Sequence, residues 1–488
     1  MSSLSMTPGA LSLDLGPSLF ATLNGETYLS VLGSSHFPIA QTYPDPLSTD
    51  SYTSSPLELR LSPSLTLLND GWFKVARLDM EYSLRGNAGG TNNATEGNRP
   101  PPLQRTETLD HELTELYATI LGSHVGLEVG RLRQRFGLGM TAHPGVFDLK
   151  DSNVNEWGQN PLHGDIIERV GLVYAYHGLG TKKNGVTHSV GVERVVRDDR
   201  TDHQLGDSAQ GFFAGVKIDY DTHEFTLGLV RREMTYREGG ETEIWNLASA
   251  FKSSNTIKKY LLEIEGELNI LSGSSTLPES VFIDGPFDVE SYGAILRTTL
   301  RRGLHTVQLE GGLASGDQDR FDNVQSTFQF DPNYRIGLIL FPMVNSSYAR
   351  IAVENASDPN FRARLPRGAS RTYTSGSIEN AIYINPTWTQ ELTTHTKLSI
   401  GLVQAWRATP YFDLFRSNLN GGVPTDPLGR QDNMSLGQEV NLGFAHAFVD
   451  RDYKLNGYFV GAFARSSVSL PSEPTNLYAS SVRLEASW

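Results

Sequence analysis

The chain has 488 residues, of which 20% are charged, with a formal net charge of −14 and no cysteine. Disulfides and thiolate metal sites are therefore excluded, and the acidic balance argues against nucleic acid as a partner. No apolar run reaches the roughly 18 residues of a membrane-spanning helix, which excludes a helical membrane protein but not a membrane barrel of alternating strands.

The first 17 residues lack the basic and long apolar regions of a secretory signal, and we expect an N-terminal periplasmic segment at 1–17. From residue 18 onward, apolar and polar side chains alternate with period two, which predicts β-strands. The predicted strands are 18–33, 56–67, 72–85, 110–121, 124–136, 165–177, 185–196, 210–220, 224–236, 242–252, 257–270, 289–301, 304–314, 378–392, 395–407, 435–449, 453–466 and 477–488.

These strands are longer than the roughly 5–6 residues of an ordinary sheet, and a tilted strand needs about 9–11 residues to cross a bilayer. The stretch YLLEIEGELNI at 260–270 shows both faces: Leu262, Ile264 and Leu268 alternate with glutamates. A soluble sandwich would bury that row of carboxylates at high cost, whereas a wide barrel exposes it to water. The alternation therefore indicates a lipid-facing side and a lumen-facing side.

The links between strands alternate in length. Every second link is tight, as in NDG at 69–71, GSH at 122–124 and DTH at 221–223, while most of the others are long. Short periplasmic turns and long extracellular loops are typical of outer-membrane barrels with an even strand number. The sequence therefore predicts an all-β fold of 18–488: a single antiparallel transmembrane barrel of about 18 strands, with 16 as the alternative count.

Three groups of segments resemble large porin-like outer-membrane barrels of Gram-negative bacteria. They are EVGRLRQRFGLGM at 128–140 with GDIIERVGLVY at 164–174, LEGGLASGDQDRFDN at 309–323 with FQFDPNYRIGLILF at 328–341, and ENAIYINPTWTQEL at 379–392. The resemblance implies the barrel architecture and a bacterial outer-membrane location, but it does not indicate a substrate.

A barrel of this size leaves an aqueous channel unless something plugs it. The predicted function is therefore that of a porin for passive diffusion of small hydrophilic solutes, without a cofactor. Two alternatives stay open: a structural or interaction barrel that anchors a cell-surface assembly or binds an extracellular partner, and an exporter of an anionic polymer. No hydrolase, zinc-protease, P-loop or dinucleotide motif is present, so we expect no enzyme activity.

The longest loop, at about 315–377, contains the apolar stretch 334–356 with a helix expected around 343–355. Such an apolar segment favours burial over exposure to water. One interpretation is that the loop folds into the lumen and narrows the pore. The other is that it packs on the outer rim or contacts another protein.

Nine charged residues are the candidate pore lining. They are Arg131, Arg133, Arg135, Lys217, Glu263, Glu265, Glu267, Arg297 and Arg301. Arg131 shares the parity of apolar Val129, and an arginine facing lipid costs about 2–4 kcal/mol at the midplane. We therefore expect a bulge or the exit of this strand from the membrane near Gly130, which would place the arginines inward or at the rim. Opposed charged rows would create a transverse field, or would pair and stiffen the wall.

Asp317, Asp319 and Asp322 form a loop cluster that could hold Ca²⁺, although a solvated acidic turn explains the same pattern. The last strand places Tyr478, Val482, Leu484 and Trp488 on one face. That ending resembles the signal read by the barrel-insertion machinery, so outer-membrane lipid and that machinery are the expected partners.

Overall fold

The computed structural model describes residues 4–7, 10–16, 19–39, 48–54, 56–69, 71–87, 109–145, 153–157, 164–176, 184–277, 285–319, 322–346, 348–349, 351–352, 368, 371, 374, 376–431, 434–449, 454–466 and 475–487. The strands in these ranges are β1 (Leu4–Thr7), β2 (Ala10–Gly16), β3 (Leu19–Ile39), β4 (Ser48–Ser54), β5 (Pro56–Leu68), β6 (Phe73–Asn87), β7 (Leu109–Gly122), β8 (Val125–Arg133), β9 (Ile166–Ala175), β10 (Gly185–Arg197), β11 (Ser208–Tyr220), β12 (His223–Thr235), β13 (Glu241–Ile257), β14 (Tyr260–Ser275), β15 (Phe287–Arg302), β16 (His305–Ala314), β17 (Val324–Gln325), β18 (Ala381–Thr393), β19 (Thr396–Arg407), β20 (Ser435–Val449), β21 (Lys454–Ser466) and β22 (Thr475–Ser487).

The helices among the described residues are short. They are α1 (Val154–Trp157), a 3-10 turn (His203–Leu205), a π-helix (Leu340–Asn345) and α2 (Leu414–Leu419). Within the described part of the chain, no helix has the length and apolar character needed to cross a membrane.

The strands join into one antiparallel ring. From β5 to β16, each strand pairs with the strand that follows it in the chain. β16 then pairs with β18, and consecutive strands pair again from β18 to β22. The strand β3 closes the ring because it pairs with β5 on one side and with β22 on the other. Eighteen described strands form this ring, and closure leaves no long unpaired edge. The strands β1, β2, β4 and β17 are additional pairings outside it.

The predicted all-β barrel is confirmed, and each of the predicted strands coincides with one strand of the ring. One turn was misplaced: the sequence places it at 252–256, whereas β13 continues to Ile257 and the turn lies at Lys258 and Lys259. Lys258 takes the positive φ of 57° that this tight turn requires. The polar run KSSNT resembles a turn in composition, but a barrel wall that meets water accepts polar residues within a strand.

The two faces of the wall differ as the period-two pattern predicts. In β14, Leu268 and Ile270 are exposed on the outer face, while Glu267 and Asn269, which alternate with them, are buried. The short-turn end of the barrel carries the links such as 221–222, and the long-loop end carries the link that follows β8. The expected N-terminal segment 1–17 contains β1 and β2, and β2 pairs with the start of β3. Its periplasmic location stays a prediction.

Candidate functional site

The largest buried cluster lies inside the ring. Phe328, Phe330, Ile339, Leu340 and Phe341 are fully buried. They pack against buried side chains on the inner faces of the last five strands, a set that includes Tyr383, Ala405, Val460, Ala464 and Leu477. The stretch 328–344 of the 315–377 loop therefore packs against inner faces of the wall, whereas Arg371 of the same loop pairs with Asp207 and Glu238 in links at the long-loop end. The helix of this loop begins at Leu340 as a π-helix, a few residues before the predicted helix.

A carboxylate of the wall binds three backbone amides of this inner segment. Glu439 of β20 accepts hydrogen bonds from three consecutive backbone amides, those of Leu338 at 2.6 Å, Ile339 at 3.1 Å and Leu340 at 2.9 Å. Gly337 precedes them with φ of 71°, which turns the three N–H groups toward one point. A Cβ at this glycine would lie 2.7 Å from a carboxylate oxygen of Glu439, so the position requires glycine.

A second segment, 134–157, uses the same device on another part of the wall. Glu267 of β14 accepts from the backbone amides of Leu138 at 2.7 Å, Gly139 at 3.1 Å and Met140 at 3.3 Å. Gly137 precedes them with φ of 51°. Sequence analysis predicted Glu267 as pore-lining but missed its role as an anchor. The shared pattern, FGLGM at 136–140 and IGLIL at 336–340, is the signal that would have revealed both anchors.

The helix α1, at residues 154–157, contacts the inner faces of β19, β20 and β21. Val154 and Trp157 of α1 are buried there, and Cβ atoms at Gly401 and Gly443 would come within 3.0 Å of these side chains. The glycines therefore create the space into which α1 packs. Sequence analysis did not predict that this loop enters the interior.

The two inner segments also contact each other. The backbone amide of Asp331 donates to the carbonyl of Met140 at 2.7 Å, and the carboxyl groups of Asp331 and Asp165 share a hydrogen bond. Burial, followed by the charge of Asp199, raises the pKa of Asp331 well above its usual range. Burial and the neighbouring carboxyl groups of Asp331 and Asp198 likewise raise the pKa of Asp165. Burial therefore favours the protonated form of both carboxyl groups.

A further group of hydrogen-bonded polar side chains connects the inner segment 322–352 to the wall. Tyr334 and Tyr383 donate their hydroxyl hydrogens to Oε1 of Glu310 at 2.7 and 2.8 Å, and Arg297 donates to Oε2 at 2.7 Å. Burial, then the charge of Glu310, raises the pKa of Tyr334 well above its usual range. The fully buried carboxylate is thereby neutralised and hydrogen-bonded, as burial of a charge requires.

The opposite part of the wall carries ion pairs beside a small apolar cluster of Ile167, Val195, Ala209 and Met234. The ion pairs are Arg60 with Glu58 at 2.6 Å, Arg133 with Glu81 at 2.5 Å, Arg169 with Glu193 at 2.8 Å, Arg197 with Glu112 at 2.8 Å and Arg232 with Asp198 at 2.6 Å. Each of these buried or half-buried charges has a partner of opposite sign. This sector therefore keeps a polar inner surface.

The predicted pore-lining residues occupy three kinds of position. Six have the inner parity: Lys217, Glu263, Glu265, Glu267, Arg297 and Arg301. Four of them form three inner ion pairs, namely Lys217 with Glu224 at 3.0 Å, Glu265 with Lys252 at 2.9 Å and Arg301 with Glu263 at 3.2 Å, and Arg297 pairs with Glu310 as described above. In each ion pair the two partners lie on adjacent strands. This is the arrangement expected if the charges pair and stiffen the wall.

The arginines around Gly130 diverge. Arg131 keeps the outward parity of Val129 and pairs with Glu168 at 2.7 Å, so it differs from an inward pore-lining position and lies near the rim. Arg133 is buried against Glu81, and Arg135 is exposed in the link that follows β8. Gly130 has φ of 132°, and a Cβ there would meet the carbonyl oxygen of Leu116 at 2.3 Å. The backbone conformation of Gly130 is therefore unusual at the predicted point, but its pairing with β7 and β9 continues without a register shift, so the expected bulge is not found there.

On the last strand, Tyr478, Val482 and Leu484 are exposed on the outer face. Trp488 lies outside the described residues, so the insertion signal stays a prediction. The carboxylates of Asp317 and Asp322 accept backbone amides of their own turn, from Asp319 at 3.1 Å and Val324 at 2.9 Å. In the described ranges, no group of three acidic or histidine side chains is arranged to hold a metal ion, and the Ca²⁺ site also stays a prediction.

A closed antiparallel ring with an apolar exterior, a charged interior and inward-folded loops is the architecture of a porin-like outer-membrane barrel. No protein-family model and no curated protein sequence matches the chain. Solved structures do. A variant of OccD1 (OprD) has a TM-score of 0.50 at 12% identity over 96% of this chain and 94% of that one.

OccK9 (OpdG) of Pseudomonas aeruginosa also has a TM-score of 0.50, at 10% identity over 96% of this chain and 98% of that one. OccK2 (OpdF) of Pseudomonas aeruginosa in complex with glucuronate has a TM-score of 0.48 at 10% identity, over 96% and 97% of the two chains. At such low identity the similarity concerns the fold. The predicted resemblance to porin-like barrels is confirmed at that level.

Proposed function

We propose that this protein is a channel of the bacterial outer membrane through which small hydrophilic solutes diffuse passively. One observation carries the proposal: the inner segment 322–352 covers the inner faces of β18–β22, while the opposite inner faces keep their charged pairs. An aqueous path would therefore run beside the charged sector and away from the barrel axis. No enzyme activity is expected, because the charged inner residues form structural pairs.

Selection in such a channel depends on width and on the field of fixed charges. The two anchored segments set the width, since Glu267 and Glu439 fix three backbone amides each. The charges of the inner wall are largely neutralised by partners on adjacent strands, so the field changes sign over short distances. A polar solute would meet alternating charges rather than one uniformly charged wall.

Planar-bilayer recordings test the proposal. A variant lacking 334–356 should conduct several-fold more than the full chain, because the apolar segment no longer occupies the interior. The strand content of both proteins, measured by circular dichroism, controls for barrel folding. Equal conductance of the two folded barrels would refute the hypothesis that residues 334–356 narrow the pore. A folded, inserted barrel that passes no current with or without 334–356 would instead favour the anchoring function.

A further inference from the structure

A local concentration of positive charge lies on the barrel exterior at the short-turn end. Lys258 and Lys259 form the turn between β13 and β14, and Arg302 ends β15, which pairs with β14. All three residues are exposed, and Arg302 has the parity of the outward side chain of Leu300. We call these three residues the basic patch. It contrasts with the chain as a whole, whose net charge is −14.

The basic patch has no acidic partner. Within the described part of the chain, none of its three residues forms an ion pair, and the outward positions at 251–264 and 298–307 hold no acidic residue. Two other cations at the same end differ, because they face the lumen: Arg301 pairs with Glu263 at 3.2 Å, and Lys397 pairs with Glu391 at 3.8 Å. The positive charge of the patch is therefore uncompensated on the outer face.

The patch lies directly beyond the edge of the apolar exterior. Two residues further along the strands, the outward cross-strand partners are Leu262, Leu300, Val307 and Trp388, which we call the outer apolar row. Arg302 itself pairs with His305, whose ring stacks on Trp388 with centroids 6.0 Å apart. On a membrane barrel, aromatic side chains next to charged ones mark the level of the lipid headgroups. The basic patch is therefore at headgroup level.

Tyr260 positions the guanidinium group of Arg302. Nη1 of Arg302 donates to the hydroxyl oxygen of Tyr260 at 2.7 Å, and the guanidinium carbon lies 4.9 Å from the ring centroid. This hydrogen bond occupies one N–H group, so the remaining guanidinium N–H groups are available to an anion. A side chain that is already held in place loses less entropy when a ligand binds.

We propose that the basic patch binds the phosphate of a membrane phospholipid whose headgroup has a net negative charge. Arg302 donates to the phosphate oxygens in the forked geometry that a guanidinium group favours, and Lys258 and Lys259 add positive charge beside it. An acyl chain of the lipid follows the outer apolar row into the hydrocarbon. A headgroup with an added ammonium group fits less well, because no carboxylate of this face compensates that charge.

The leaflet follows from the position of the patch. Short turns of outer-membrane barrels face the periplasm, so the bound lipid belongs to the periplasmic leaflet. This inference rests on the membrane location proposed above and is independent of whether the barrel conducts.

Native mass spectrometry of the purified full chain in mixed micelles tests this site. The probes are phosphatidylglycerol and phosphatidylethanolamine at equal concentration. We expect the wild type to retain phosphatidylglycerol several-fold more than phosphatidylethanolamine. Arg302→Gln should lose a large part of this preference, and the triple variant Lys258→Gln, Lys259→Gln and Arg302→Gln should lose nearly all of it. The matched control is Lys397→Gln, which removes a lumen-facing cation at the same end and should keep the preference.

Three results would overturn the proposal. The first is equal retention of the two lipids by the wild type. The second is an equal preference in Arg302→Gln and in the Lys397→Gln control. The third is displacement of the retained lipid by inorganic phosphate, which would identify a phosphate ion rather than a membrane lipid as the ligand.

Conductance of the same preparations separates this proposal from the proposed function. A folded, conducting barrel without lipid preference refutes only the lipid site. A folded barrel that retains phosphatidylglycerol but passes no current refutes only the channel.

Discussion

The inner faces of β18–β22 and of β8–β12 belong to one barrel but have opposite surroundings. The first is covered by the apolar segment 322–352 and behaves as a protein core, with small or apolar residues such as Ala405, Val460 and Ala464. The second carries ion pairs such as Arg169 with Glu193, and its buried apolar cluster of Ile167, Val195, Ala209 and Met234 is much smaller. The difference shows that an inward-facing wall is not uniformly a pore lining. What covers it decides whether it is core or channel.

The apolar packing of the segment 322–352 should contribute most to the difference between the two inner faces. Phe341 is fully buried and packs edge-to-face on Tyr383 with ring centroids 5.9 Å apart. We expect Phe341→Ala to weaken the packing of the inner segment by about 3–5 kcal/mol. Hydrogen exchange of the amides around 338–341 would accelerate accordingly. The control is Phe444→Ala on the outer face of β20, which should leave that exchange unchanged. Equal exchange in both variants would contradict the core assignment.

The two carboxylate anchors should be next in size and independent of each other. Glu439→Gln keeps the shape but removes the charge that accepts three amides, a loss of about 1.5–3 kcal/mol. Exchange should rise at 338–340 and stay unchanged at 138–140, and Glu267→Gln should do the reverse. If either variant loosens both segments equally, the anchors act as one unit rather than as two.

The glycine that precedes the anchor should have a smaller effect. Gly337→Ala places a residue with a Cβ at φ of 71° and brings that Cβ to 2.7 Å from Glu439. We expect about 1–3 kcal/mol of destabilisation of the inner segment. Gly303→Ala is the matched control, since Gly303 has φ of 56° and open space around its Cβ position. Thermal melts of both variants would separate backbone strain at positive φ from the close contact with Glu439. An equal decrease in melting temperature would show that the close contact contributes nothing.

The smallest expected effect is a graded dependence on pH. The pKa of Asp331 is raised by burial and then by Asp199, and its carboxyl contacts that of Asp165, which is itself near Asp198 and Arg232. A released segment would ionise at the ordinary aspartate pKa. The packed segment therefore loses stability as pH rises from about 4 toward the raised pKa.

The variant Asp331→Asn is permanently neutral and should remove most of this pH dependence. Exchange of the amides near 331, corrected for its intrinsic pH dependence, is the measurement. A wild-type segment that becomes more protected as pH rises would reverse the sign and refute the raised pKa of Asp331.

The candidate site was only partly predictable. The parity of Glu263, Glu265 and Arg297 follows from the alternation, because a period of two assigns every side chain to a face. That Arg131 remains outside while Arg133 turns to Glu81 does not follow, because Gly130 permits a backbone distortion whose direction depends on the neighbouring strand. The sequence also did not predict that the loop segment with Leu138 is anchored to Glu267, because Glu267 is 110 or more residues away in the chain.

The sequence by itself predicted a count of about 18 strands, their approximate positions and the two faces of the wall. These properties depend on local alternation and on turn residues, which a single strand or link already contains. Only the tertiary structure decided which inner faces are covered, which carboxylates anchor the loops and where the outer charges collect. Those properties require the ring to close, because closure brings distant residues to the same height on the wall.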